Sequence, residues 1–186
     1  MRMDDSSAMK EACVWFAMSA PFRRELRAQQ MLDERGIPNF VPMRYRVVST
    51  RDGHKRRELA PVVPNLIFVK TSADGIKALK SELRIIQFLV RKENGRGIPI
   101  VVPDAQMEQF MAVASTWDEK LLYFKPEEVD LKKGARVRVL GGTLNGKEGV
   151  FMRVKGARSR RLVILLEGVT AIAVEVAPDL IELLDA

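Results

Sequence analysis

The stretch KGARVRVLGGTLNGKEGV, residues 133–150, combines strand alternation with glycines in the way that a small all-β unit requires. Val137 and Val139 alternate with arginines, which predicts a strand with one buried face. The following Gly-Gly and Asn-Gly steps supply tight turns. Gly149 then begins the returning strand at a point where a close backbone approach excludes a side chain. The stretch therefore predicts a strand, a turn and a returning strand.

Further short apolar runs follow this stretch, and several alternate with polar residues. They comprise Val150/Met152/Val154, Leu162 to Leu166, and Ile172/Val174/Val176. Short strands at such spacing are typical of a small β-barrel. We therefore predict a barrel domain over residues 132–186.

The chain before residue 118 shows mixed periodicity, which predicts the order βαββαββα. The second helix is the clearest: Ser72 can cap it, and Ile76, Leu79 and Leu83 fall on one face. A basic hairpin, with a turn at residues 49–53 and a returning strand over 59–70, is predicted to lead into a buried segment at residues 66–69. The remaining elements are strands at 14–18, 39–48, 85–90 and 98–102 and helices at 22–35 and 103–114, the last with Met107, Phe110, Met111 and Ala114 facing inward.

These patterns predict an α+β protein with two domains. We expect a disordered tail at residues 1–12, an N-terminal α/β sandwich domain at 13–118, a charged linker at 119–131 and the barrel domain at 132–186. A chain of 186 residues with 47% hydrophobic and 30% charged residues is ordinary for a globular protein.

Composition also excludes several classes of protein. No apolar run approaches the roughly 20 residues that a membrane helix needs, so we expect no membrane contact. One cysteine, Cys13, and one histidine, His54, cannot form a zinc site or an intramolecular disulfide. We expect a cytoplasmic protein without metal or cofactor.

Candidate catalytic groups are sparse. His54 lies in the basic hairpin, where a solvated turn residue is the first interpretation, phosphate contact the second and catalysis the third. Cys13 begins an apolar strand and is read as a buried hydrophobe rather than a reactive thiol. No glycine cluster carries the lysine-serine ending of a phosphate-binding loop. We therefore predict that the protein is not an enzyme.

The net charge of +7 favours an anionic partner, and the excess is concentrated in two segments. Residues 44–57 hold six Lys or Arg against one acid, and residues 153–161 hold five against none. Each segment is either a solubilising loop or a nucleic-acid contact.

The opening stretch resembles the KOW motif through a set of glycines and valines: Gly134, Val137, Val139, Gly142, Gly146 and Gly149. KOW modules occur in NusG proteins, ribosomal proteins and some translation factors, so the motif implies a ribonucleoprotein or nucleic-acid context. A plain SH3-like barrel without that context is the alternative.

The N-terminal part resembles the N-terminal domain of the NusG family. Three segments carry the resemblance in order and spacing: residues 15–18 (WFAM), 39–43 (NFVPM) and 64–69 (PNLIFV). Four segments, residues 39–44, 65–69, 100–104 and 149–156, are similar to UpxY-type specialised paralogues, which act on capsular polysaccharide operons. The resemblance implies a transcription elongation or antitermination factor that suppresses pausing or termination.

The resemblance also implies two binding surfaces. A pocket for the clamp helices of the RNA polymerase largest subunit falls on Trp15, Phe16, Val63 and Leu66, although Trp15 and Phe16 are also explained by core packing. The usual glycine of the family is replaced by Asn65. Non-template or upstream DNA would face a set of cations, namely Arg23, Arg24, Arg51, Lys55, Arg56 and Arg57.

The KOW domain would contact a ribosomal or termination-factor partner, and a monomer is expected. The alternative function is a ribosome- or RNA-associated KOW protein that has no connection to polymerase.

Overall fold

The computed structural model describes residues 12–184. By their internal contacts these residues form two compact units. The first holds the described residues up to Pro42 together with Val63–Asp104, and the second holds Met43–Val62 together with the residues from Ala105 onward. This grouping does not follow the predicted boundaries at 118 and 131, which stay a prediction. Most of the predicted tail lies outside the described residues.

A five-stranded antiparallel sheet organises the first unit. Its central strand, β1 (Val14–Ser19), pairs along its length with β5 (Leu66–Thr71). The other edge of β5 pairs with β2 (Asn39–Phe40), and the other edge of β1 pairs with β6 (Gln87–Phe88) and β9 (Val101–Val102). All six residues of β1 are at least half-buried, which explains its nearly continuous apolar sequence.

The first unit also contains two helices, each with an apolar face that is buried. Helix α1 (Glu25–Asp33) buries Ala28 and Leu32, and helix α2 (Ala73–Leu83) buries Ile76, Leu79 and Leu83. Ser72 Oγ accepts a hydrogen bond from the Gly75 N–H at 3.1 Å, so the predicted cap and buried face of α2 are confirmed. Helix α1 was predicted to begin at Phe22 and begins three residues later.

Prolines interrupt two of the predicted strands. The strand expected over 39–48 divides after Phe40, and β3 (Met43–Ser49) begins beyond Pro42. The returning strand likewise divides into β4 (Lys55–Pro61) and β5 around Pro64. Proline has no N–H to donate, so a ladder breaks at these positions. A second small hairpin, β7 (Val90–Glu93) with β8 (Arg96–Pro99), turns at Asn94-Gly95 as predicted.

The second unit contains the β3–β4 hairpin, helix α3 (Asp104–Ala114, from Ala105 onward) and a six-stranded antiparallel sheet. The sheet runs in the order β10-β14-β13-β12-β11-β15. Its strands are β10 (Leu122–Phe124), β11 (Ala135–Val139), β12 (Glu148–Met152), β13 (Arg161–Leu166), β14 (Thr170–Val174) and β15 (Ile181–Leu183). Four of these correspond to the predicted apolar runs.

Part of the predicted linker is paired backbone. Strand β10 pairs with β14, and the Thr170 hydroxyl donates to the Phe124 carbonyl at 3.1 Å. The mixed α+β class is confirmed, whereas closure of the six-stranded sheet into an SH3-like barrel stays a prediction. In the described residues no helix is long and apolar enough to cross a membrane.

Candidate functional site

The loop between β4 and β5 ends in a tight turn. The Leu66 N–H donates to the Val63 carbonyl at 3.3 Å, and Asn65 has φ +65°. Proline at the second position and a positive φ at the third are the signature of a type II turn. Asparagine tolerates the left-handed conformation better than most non-glycine residues. Asn65 therefore provides the backbone conformation that glycine would provide at this position.

This type II turn is hydrogen-bonded to a second turn, which lies just before α1. Asn65 Oδ1 accepts from the Arg23 N–H at 2.8 Å, and the Asn65 carbonyl accepts from the Ala20 N–H at 2.7 Å. Phe22 (φ +63°) and Arg23 (φ +56°) are consecutive left-handed residues, each costing about 1–3 kcal/mol. They cannot continue a helix, which explains why α1 begins at Glu25.

The second turn displays an aromatic ring. Phe22 is 85% exposed, and the Arg24 guanidinium lies 5.2 Å from the centroid of its ring. Arg24 Nε also donates to the Pro21 carbonyl at 2.9 Å. The family resemblance points to Arg23 and Arg24 but not to Phe22, because a phenylalanine at a predicted helix start gives no sign that its ring is exposed.

The predicted apolar pocket residues are mostly covered. Trp15, Phe16 and Leu66 are 7%, 6% and 3% exposed, and only Val63 is half-buried. Trp15 and Phe16 face opposite sides of the sheet, and both sides are covered. Phe16 packs 6.1 Å from Phe88 between ring centroids. The core-packing interpretation therefore accounts for Trp15 and Phe16, and Val63 supplies the accessible surface of the set.

The basic hairpin carries its own counter-charge. In the β3–β4 register Arg46 lies opposite Glu58, and Arg46 Nε and Nη2 lie 2.8 Å and 2.6 Å from Glu58 Oε1. Arg56 reaches the other carboxylate oxygen at 3.4 Å. The hydrogen bonds from Arg46 hold the pKa of Glu58 below its usual value. Two of the six cations of the segment are therefore paired with one acid just beyond it.

A third cation, Arg57, is held by an acid and an aromatic ring. Its Nη2 lies 2.8 Å from Glu119 Oε1, and its guanidinium lies 4.6 Å from the Tyr45 ring centroid. Tyr45 in turn meets Trp117 edge-on at 6.1 Å. Glu119 falls in the predicted linker, and nothing local in the sequence links it to Arg57.

Two exposed cations at the tip of the hairpin have no ion-pair partner among the described residues. Within residues 12–184, Arg51 and Lys55 make no ion pair, and both are exposed. The Thr50 hydroxyl donates to the His54 carbonyl at 3.0 Å, which closes the turn. His54 is exposed, consistent with a solvated turn residue, whereas Cys13 is exposed and its predicted burial is wrong.

The glycines of the KOW-like stretch have distinct structural roles. A Cβ at Gly149 would lie 2.6 Å from the Val163 carbonyl oxygen, so the predicted close backbone approach is confirmed. A Cβ at Gly134 would collide with Val150. Gly142 and Gly146 both have positive φ, and Val137 and Val139 are buried.

The second basic segment is the loop between β12 and β13. Arg161 at its end is only 9% exposed, and it donates to the Lys120 carbonyl at 2.8 Å and lies 3.8 Å from Glu175. The other four cations of the loop are exposed, and none has an ion-pair partner in the part of the chain that the structure describes: Arg153, Lys155, Arg158 and Arg160.

The match to a known family covers both turns and the first sheet. The family model described as "Transcription termination factor nusG" matches residues 13–111, more than half of the chain. The chain belongs to the NusG family. Proteins of the NusG family are transcription elongation and antitermination factors that bind RNA polymerase, and they are not known as enzymes.

A solved structure concerned with domain interaction in Thermotoga maritima NusG is similar to this NusG-family chain. The two are 17% identical, the match covers 93% of this chain and 98% of that chain, and the TM-score is 0.46. No curated protein matches the sequence.

Proposed function

We propose that this NusG-family protein binds RNA polymerase through the first unit and suppresses pausing or termination during elongation. The observation that carries the proposal is the family match over residues 13–111. That stretch contains both of the turns described above, the sheet between them and the basic hairpin. The proposed partner surface on polymerase is the clamp helices of the largest subunit.

Val63 is the proposed centre of the polymerase contact. It is half-buried at the type II turn, so it retains apolar surface for a partner. Trp15, Phe16 and Leu66 are too covered to supply much contact area, and we assign them the role of holding together β1 and β5, the strands of the sheet that carries the turn. A contact built on a rigid turn loses little conformational entropy on binding.

DNA is the proposed partner of the exposed cations. Arg51 and Lys55 at the hairpin tip make no ion pair within the described residues, and neither does Arg23 just before α1. Phosphate contacts of this kind add affinity without reading sequence. The proposal has three further parts. The protein acts at capsular polysaccharide operons, its KOW domain contacts a ribosomal or termination-factor partner, and it is a monomer.

One observation favours the alternative of a ribosome- or RNA-associated KOW protein. The four exposed cations between β12 and β13 have no internal counter-charge and would suit a phosphate backbone. We rank this function second because the family match lies entirely outside that loop.

Co-purification of the full chain with core RNA polymerase tests the first function. Val63→Asp should abolish binding, since it places a carboxylate against apolar helices, while Val63→Ala should retain most of it. Both variants should still unfold in a cooperative urea transition, because Val63 keeps part of its surface exposed and lies outside the core. Wild-type binding by Val63→Asp would refute the contact, and recovery of ribosomes in place of polymerase would favour the alternative.

A further inference from the structure

The turn before α1 holds an aromatic ring in an unusual setting. Phe22 is 85% exposed, although phenylalanine normally gains most from burial. Its own φ and that of Arg23 are both left-handed, and the Asn65 side chain and carbonyl hold the turn from outside it. The ring is therefore displayed on a backbone that is fixed in a costly conformation, which is a common property of functional sites.

The charges around this ring indicate the kind of partner. Arg23 is exposed, and Arg24 lies over the ring at 5.2 Å. Both arginines sit at the N-terminal end of α1, where the helix dipole disfavours cations. Their placement therefore does not serve helix stability. Arg23 and Arg27 have no ion-pair partner among residues 12–184, so their guanidinium groups are available to an anionic partner.

We propose that Phe22 is a stacking platform for an unpaired base of the non-template strand, with Arg23 and Arg24 holding the flanking phosphates. The proposal rests on the function proposed above, which brings single-stranded DNA to this unit. An exposed ring flanked by cations is the combination that single-strand binders use, since every base has a π-face and every linkage a phosphate. The Arg24 guanidinium lies over one face of the Phe22 ring at 5.2 Å from its centroid, and a base would stack on the other face.

Asn65 is the positioning residue of this site. It touches no DNA in the proposal, but it sets the direction of the ring through its bond to the Arg23 N–H. Replacing it by glycine would keep the type II turn and release the neighbouring turn, which should weaken stacking without altering the charge of the site.

The test uses the full chain without polymerase, so that it does not depend on polymerase binding. Two fluorescein-labelled probes are compared: an oligothymidylate about a dozen nucleotides long and an abasic strand with the same number of phosphates. Phe22→Ala should weaken binding to oligothymidylate roughly 5- to 150-fold and leave binding to the abasic strand unchanged. Phe22→Leu, which keeps apolar bulk but has no ring, should behave like Phe22→Ala. Phe22→Trp, which keeps an aromatic ring, should bind oligothymidylate like the wild type.

Three results would overturn the proposal. Equal loss on both probes would mean that the ring supports only the local backbone. Full binding of oligothymidylate by Phe22→Ala would exclude base stacking. Loss of polymerase co-purification with intact oligothymidylate binding would make Phe22 a protein anchor instead. Failure of the wild type to bind polymerase would refute the proposed function alone, because stacking is measured separately.

Discussion

The side chain of Asn65 accepts a hydrogen bond from the backbone N–H of Arg23 at 2.8 Å. The two residues are 42 positions apart, and each has a positive φ. The bond joins the turn before β5 to the turn before α1, so two strained backbones stabilise each other. Asparagine has both properties that this position needs: tolerance of the left-handed region and a side-chain acceptor.

Substitutions of Asn65 should separate these two properties. Asn65→Ala should lower the free energy of unfolding by about 2 kcal/mol, because it loses the hydrogen bond and places alanine in a left-handed conformation. Asn65→Gly should cost less, since glycine adopts that conformation freely. Urea denaturation of both variants measures the difference. Equal stability of Asn65→Ala and the wild type would show that the bond and the positive φ have no net effect.

The hairpin tip should account for most of the salt dependence of DNA binding that the hairpin contributes. If each of four cations, Arg51, Lys55, Arg56 and Arg57, met one phosphate, the log–log salt slope would be roughly 3. Because Arg56 and Arg57 are paired with acids, we expect the double change Arg51→Ser/Lys55→Ser to lower the slope by roughly 1.4.

The matched control is Arg56→Ser/Arg57→Ser, which removes the same charge from paired positions and should have a smaller effect. Affinity for an elongation complex is measured over a salt series. If the two double variants lowered the slope equally, the internal ion pairs would not limit these arginines.

Removal of Glu58 should strengthen DNA binding. Glu58→Gln at neutral pH frees Arg46 and Arg56, so affinity and salt slope should both rise. Glu119→Gln is the comparison that frees Arg57 alone. Fluorescence anisotropy with single-stranded DNA measures both variants, and an affinity below that of the wild type for Glu58→Gln would contradict the expectation.

The same carboxylate predicts a pH dependence. Arg46 lowers the pKa of Glu58 in the folded protein, so its contribution to stability is present above the unfolded pKa and is lost as pH falls through the folded pKa. The pKa of Glu58 lies below its ordinary value of 4.5. As the pH falls through this lowered pKa, the DNA affinity of the wild type should therefore rise toward that of Glu58→Gln. A wild-type affinity that stays flat while Glu58 protonates, as followed by NMR, would contradict the pairing.

Gly149, which lies in strand β12, should be less replaceable than Gly142 in the turn before it. Gly149→Ala forces its Cβ against the Val163 carbonyl and should lower the free energy of unfolding by about 1–3 kcal/mol. Gly142→Asn is the control: Gly142 has φ +66° and open space around it, and asparagine tolerates that conformation. Thermal unfolding compares them, and equal loss in both would mean that the close approach is unimportant.

Local signals were sufficient for several elements. Ser72 with the 3-4 spacing of Ile76, Leu79 and Leu83 predicted α2, and Asn94-Gly95 predicted the turn of the β7–β8 hairpin. The start of α1 was misplaced because a left-handed conformation at Phe22 and Arg23 has no sequence signal when neither residue is glycine. That conformation depends on Asn65, which is distant in the chain.

The candidate site was likewise predictable from the sequence only in part. The arginines of the hairpin were identified from composition, yet their availability depends on cross-strand register at Glu58 and on a distant acid at Glu119. Count alone suggested six cations with one neighbouring acid. The distances show that three of the arginines, Arg46, Arg56 and Arg57, already have partners.

The sequence by itself determined the strand and helix periodicity, the glycine and proline positions that break or turn the chain, and the NusG resemblance that the family match confirmed. These depend on side-chain chemistry at fixed local spacing. Only the tertiary structure decided that Trp15 and Phe16 are both covered, that Phe22 is displayed, and which arginines remain free. Burial and ion pairing depend on which distant residues meet, and chain closure over tens of residues leaves no local pattern from which to read them.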